Sequence, residues 1–193
     1  MQRMRAEATL MLLVLPAVLT SCGGRGGAAD AGSLDGFVES AAALTDAGII
    51  AILDDASRSD SVAAALAEEK ATDPEIRAFA MAAMQEHHAL RADGDGVVKA
   101  LSLTPRLPAT DPLGPVAEDE MVALRANPRG PQFDRAYVEK EIATHQSMKD
   151  FAEQAKRATP SDRIRSFIDR AMPVIERHLE RARALQARIA KAA

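Results

Sequence analysis

The chain has 193 residues, with 24 Lys and Arg against 28 Asp and Glu and a formal net charge of −4, so it lacks the basic field that a polyanion needs and nucleic acid is excluded as a partner. Aromatic residues make up only 3 %, Trp is absent, and Ala, Leu, Arg and Glu dominate, which favours helices and excludes an all-β fold. A chain this long buries roughly 70% of its unfolded surface in one domain and needs no disulfide; its single cysteine, Cys22, can form none within the chain.

Residues 1–21 have the pattern of a signal peptide: basic Arg3 and Arg5, an apolar run from Leu10 to Leu19, then small residues before Cys22. The run is too short for a permanent membrane helix, and Pro16 interrupts it. Leu19-Thr20-Ser21-Cys22 is similar to the lipobox of bacterial lipoproteins, whose cysteine becomes the lipidated first residue. The alternative is an ordinary cleaved signal with an incidental cysteine. The lipobox resemblance implies a membrane partner held through lipid on Cys22. Gly23, where Asp would retain such a protein at the inner membrane, implies the periplasmic face of the outer membrane. Residues 22–45 then form a Gly/Ala-rich tether with a short helical patch at Ser33 to Leu44.

From Asp46, the expected N-cap, apolar residues at Ile49, Leu53, Ala56, Ala63 and Ala67 follow a helical stripe that ends near Ala71. Thr72-Asp73-Pro74 stops it and starts a second helix, with Ile76, Ala80, Ala83, Leu90, Val97 and Leu101 on one face and Gly94 and Gly96 loosening its last turns. Pro105, Pro108, Pro112 and Pro115 then open a long connection over residues 103–131, holding a short helix at Glu118 to Arg125. That length exceeds what antiparallel neighbours require, so the chain is expected to cross from one end of the bundle to the other. Helix three spans Asp134 to Ala158, with Tyr137, Val138, Met148, Ala152 and Ala155 on its apolar face. Helix four follows the cap Ser161, with a stripe from Ile164 to Ile189 and Pro173 inside it as a kink or a shaped backbone. The expected fold is all-α, a ferritin-like four-helix bundle over residues 46–193 with its long crossover between helices two and three.

One polar residue interrupts each stripe. These are Asp60, His87, His145 and His178, each near the middle of its helix, so all four fall in one inward-facing layer. Imidazole and carboxylate suit divalent transition metals, and helical bundles build such sites in their core. The other reading is a hydrogen-bonded polar layer that fixes register. Glu141, one turn before His145, is expected to join or orient the site or to be partly solvated, Glu86 to be an outer support of the site or a solvated neighbour, and His88 to lie at the surface. The Glu-x-x-His motif of ferritin-type di-iron centres is absent, because Met84, Ile142 and Ile175 stand three before the histidines. Gly23 to Gly27 has no strand and helix around it to make a phosphate loop, and Asp93-Gly94-Asp95-Gly96 lacks the closing carboxylate of a calcium loop.

Three blocks carry a family resemblance: Asp73-Pro74-Glu75-Ile76-Arg77-Ala78-Phe79-Ala80 leading to Glu86-His87, Phe133-Asp134-Arg135-Ala136-Tyr137 with His145, and Met172-Pro173 with His178-Leu179. Over Asp46 to about Leu185 the chain resembles the bacterial domain-of-unknown-function family 4142, exported ferritin-like proteins often labelled predicted outer-membrane proteins. The resemblance implies a helix-one carboxylate at Asp60, usually Glu in the family, an acidic-His pair at Glu86 and His87, and histidines at His145 and His178. The function expected is a non-enzymatic envelope binding or stress-associated module, with a metal-binding or redox enzyme as the rival. Substrate, protein partners and any resident metal stay open at this stage.

Overall fold

The structure is a computed structural model and describes residues 44–192. The signal segment, Cys22 and the Ser33–Leu44 patch up to its last residue lie outside them. Among the described residues there are five helices and no strand: α1 (Asp46–Lys70), α2 (Pro74–Leu101), α3 (Gly114–Ala126), α4 (Pro131–Ala158) and α5 (Asp162–Ala192). None is long and apolar enough to cross a membrane.

Helix starts follow their caps. Thr45, not Asp46, is the N-cap of α1, because its hydroxyl accepts the Gly48 N–H at 3.0 Å. Asp46 becomes the acidic first residue and accepts the Thr159 hydroxyl at 2.6 Å. Asp73 caps α2 as expected, accepting from Glu75 and Ile76, with Pro74 in the first turn. Helix α2 runs unbroken through Gly94 and Gly96 and closes at Ser102 in the left-handed region (φ 52°). The short connecting helix is longer than expected, starting at Gly114. Helix α4 begins three residues early, at Pro131, whose missing N–H costs nothing in a first turn. Asp134 then serves the neighbouring turn, accepting the Thr72 N–H at 2.9 Å, the Thr72 hydroxyl at 2.7 Å and the Asp73 N–H at 3.0 Å. Pro173 leaves α5 continuous. It lies on the exposed side, and the carbonyl left without a helical donor belongs to exposed Asp169.

The four long helices pack as two hairpins, α1 with α2 and α4 with α5, joined side by side through α1 against α4 and α2 against α5. The end pairings give the directions. The start of α1 meets the end of α4 through Asp46 and Thr159, while the end of α1 meets the start of α4 through Thr72 and Asp134. At opposite ends of α2 and α5, Arg188 binds Asp73 and Arg170 binds Asp93. Both side-by-side pairs are therefore antiparallel, α2 and α4 run the same way across the bundle, and the chain from Leu101 to Pro131 travels its full length. Helix α3 rides on this crossing against α1 and α4, with Met121 and Leu124 buried. Lys70 ties it down by donating to the carbonyls of Arg125 and Asn127.

The apolar core is in two parts. One gathers Ile49, Ile52, Leu53, Met148, Phe151, Phe167, Ile168 and Ile175, and the other Ala63, Ala67, Ile76, Phe79, Ala80, Phe133, Tyr137 and Leu185. What separates them along the bundle is a slab of buried polar side chains.

Candidate functional site

Each long helix contributes to that slab at the level where its apolar stripe breaks: Asp60 from α1, His87 from α2, Lys140, Glu141 and His145 from α4, and His178 from α5, all buried. The four residues read from the stripes are thus brought together. His87 Nε2 lies 3.2 Å from His145 Nε2 and 3.1 Å from Asp60 Oδ2, and His145 Nε2 lies 3.0 Å from His178 Nδ1. His88 is exposed and outside the group.

For Glu141 and Glu86 it is the solvated alternative that fails. Glu141 is fully buried rather than partly solvated, because α4 packs against α1 at that level. Glu86 does not merely face water. Its Oε2 accepts the His178 Nε2–H at 2.6 Å and the Arg177 guanidinium at 2.7 Å, since α5 brings both residues across to it. Lys140 escapes the sequence reading altogether, yet its ammonium is buried 2.8 Å from Asp60 Oδ1 and 3.3 Å from Glu141 Oε1. Its signal is faint: position 140 is one turn beyond buried Tyr137, on the edge of the α4 stripe.

Protonation follows from these partners. Burial works to raise Asp60, but the Lys140 ammonium and His87 outweigh it and hold the carboxyl well below its usual range, so it is ionised. Glu141 moves the other way: burial and the Asp60 charge push it well above the usual carboxylate value. Burial would lower Lys140, but the two carboxylates raise it, so it stays charged. Burial drives His145 down to about 3, with His87 and His178 adding to the effect against the opposing charge of Asp60. His178 is lowered as well, by burial and then by His87, with Glu86 opposing. Both rings are therefore neutral at pH 7.

Neutral rings fix the tautomers. His145 Nδ1 sits 2.9 Å from the Glu141 carbonyl, which only accepts, so Nδ1 carries the proton and Nε2 presents a lone pair. His178 uses its Nε2–H on Glu86, so its Nδ1 is also a bare lone pair. Two lone pairs thus face each other at 3.0 Å in a site without water access. His87 Nε2 has one proton to offer to His145 or Asp60, which leaves the His178 lone pair unmatched. Among the buried atoms without a well-aligned hydrogen bond are Asp60 Oδ2, which has His87 Nε2 3.1 Å away, His87 Nδ1, the Tyr137 hydroxyl and Glu141 Oε2.

A cation among His87 Nε2, His145 Nε2 and His178 Nδ1 would satisfy both lone pairs, and Asp60 Oδ2 lies 3.1 Å from the first of these nitrogens. The three imidazoles offer nitrogens that all lie within 4.8 Å of one another, and Asp60, Glu141 and His145 form a second such group; tetrahedral zinc ligands are about 3.3 Å apart, close to the imidazole separations of 3.0 and 3.2 Å. The donor set also suits a borderline transition metal and not calcium or magnesium, which take all-oxygen shells. Glu86 and the Glu141 carbonyl hold the outer nitrogens of two imidazoles, the support that metal-binding histidines commonly have.

Fold and site together define an all-helical protein with a histidine-carboxylate slab between two halves of an apolar core. The chain belongs to the family described as Domain of unknown function (DUF4142), whose model matches residues 36–185. That span holds every residue of the slab. No curated protein matches the chain. Nor does any solved structure.

Proposed function

We propose that this chain is a lipid-anchored ferritin-like bundle of the periplasm that acts as a non-enzymatic envelope module and binds one divalent transition-metal ion through Asp60, His87, His145 and His178. The single observation that carries the metal reading is the close convergence of three buried imidazoles, with His145 Nε2 3.0 Å from His178 Nδ1 and 3.2 Å from His87 Nε2. Helix directions and the full-length crossover support the ferritin-like topology. Binding rather than redox catalysis is favoured because Ile142 and Ile175 occupy positions where a di-iron centre needs bridging carboxylates, and both are apolar.

Lys140 favours a second reading, in which the slab is a structural polar core: it already supplies one buried cation to Asp60 and Glu141. Metal analysis separates the two. Purified protein incubated with zinc and then passed through a desalting column should retain about one equivalent, and retention should persist well below the ordinary imidazole value of about 6.5, because burial keeps His145 and His178 from taking up protons there. Background levels of zinc, copper, iron, nickel and cobalt alike would leave the polar core as the reading.

The envelope address rests on Leu19-Thr20-Ser21-Cys22 and on Gly23. Acyl chains contribute about 0.8 kcal/mol per buried CH₂, so a lipidated Cys22 anchors the protein stably. Changing Cys22 to Ala should abolish labelling by a radiolabelled fatty acid and move the protein from the membrane fraction to the soluble periplasmic extract. Wild-type protein that takes up no label defeats the lipoprotein reading.

A further inference from the structure

A cavity of about 370 Å³ opens between α1 and α2 under the Pro105–Leu107 stretch of the crossover and runs into the apolar core. Nothing in the proposed metal site uses it. Its walls are apolar: Ile50 and Leu53 come from α1, Leu90 and Val98 from α2, and Phe167 and Ala171 from α5. Its inner end stops one helical turn short of the polar slab on all four long helices, at Ser57 before Asp60, Leu90 after His87, Met148 after His145 and Ile175 before His178. Gly94 keeps it open. This glycine sits inside α2, where it weakens the helix, and a Cβ added there would meet the Phe167 ring at 3.6 Å, in ordinary contact. Any longer side chain at that position would occupy the cavity.

Charge decides what fits. At the mouth, Arg58 and Arg91 both donate to Asp54, at 2.9 and 2.8 Å, so these cations are already partnered. Asp55 and Asp95 add two further negative charges to the lining. An anion would face a net acidic rim and find no unpaired base. Inside, the Ser57 hydroxyl is the sole uncharged polar side chain among the lining residues. The volume lies in the range of small-molecule sites and well above the 150 Å³ that accommodates benzene.

We infer that this cavity is a binding site for an uncharged, largely apolar organic molecule, which it holds against the floor of the histidine-carboxylate slab. The inference stands apart from the metal reading, since every wall is made by residues other than the proposed ligands.

The test uses the chain carrying Cys22→Ala, kept in chelator, and the uncharged fluorescent probe N-phenyl-1-naphthylamine. Saturable binding with one site per chain is expected, and the anionic probe anilinonaphthalene sulfonate should bind at least tenfold more weakly. Gly94→Leu should weaken binding of the neutral probe at least tenfold while the helical circular dichroism is retained. If that variant does not fold, Ala51→Leu on the opposite wall takes its place. Probe binding should be the same in chelator and in excess zinc, so occupancy of the metal site and occupancy of this site are read separately. No saturable binding of the neutral probe, unchanged binding in the filled variant, or equal binding of the sulfonate overturns the inference.

Discussion

In a His145→Ala protein, bound zinc should fall from about one equivalent to background and the thermal melt should lose its response to the metal. His145 is the decisive position because its Nε2 is within hydrogen-bond range of both other imidazoles. A ligand at a hundred times its dissociation constant stabilises the folded state by about 2.7 kcal/mol. For a domain of this size that raises the wild-type Tm by roughly 5–10 °C over the value in chelator. The variant should melt at the same temperature with zinc and with chelator. His88→Ala, which alters an exposed histidine on the same helix as His87, should behave like wild type. If the slab is only a polar core, His145→Ala costs about 1–3 kcal/mol through the groups it strands, and zinc moves neither melt. A wild-type melt indifferent to every transition metal tried would sink the metal site.

The four slab residues were legible because helices repeat every 3.6 residues: a single polar residue in an otherwise apolar stripe must point inward, and Asp60, His87, His145 and His178 each break one stripe. Lys140 was not legible in the same way. It lies at the edge of its stripe, where a lysine ordinarily bends its stem along the protein and keeps its ammonium in water. Only the approach of Asp60 from α1, a residue 80 positions away, makes burial tolerable there. Glu141 was legible as a candidate partner of the site, one turn before His145, but its full burial beside Lys140 depends on α1 covering both. The crossover's role could be read from its length and its prolines, whereas the early starts of α3 and α4 could not. Those turn on Pro115 and Pro131 lying just inside a helix rather than in the loop before it, and a proline is at home in either place.

Replacing Lys140 by Met should be among the most destabilising single changes in the bundle. The ammonium is the cation that holds buried Asp60 ionised, and it also faces Glu141. Removing one partner of a buried ion pair costs about 3–5 kcal/mol, which for a domain of this size lowers Tm by roughly 6–20 °C. The pH dependence gives the loss its sign. In the wild type, the depressed Asp60 contributes stability that is complete above its unfolded pKa of about 3.9 and disappears as the pH falls through its lower folded value. The raised Lys140 contributes stability that is complete below about 10.4 and disappears as the pH rises through its higher folded value. Without the ammonium, burial is left to raise Asp60, so the variant should bind a proton that the wild type does not. The gap between the two melts in chelator should therefore narrow as the pH falls from 7 to 5, and His145, common to both proteins, drops out of the difference. Adding Asp60→Asn to Lys140→Met removes the stranded charge and should recover a large part of the loss. A gap that stays constant over this range, with no recovery in the double variant, would mean that Lys140 stabilises the bundle by packing its stem and not by neutralising the carboxylates.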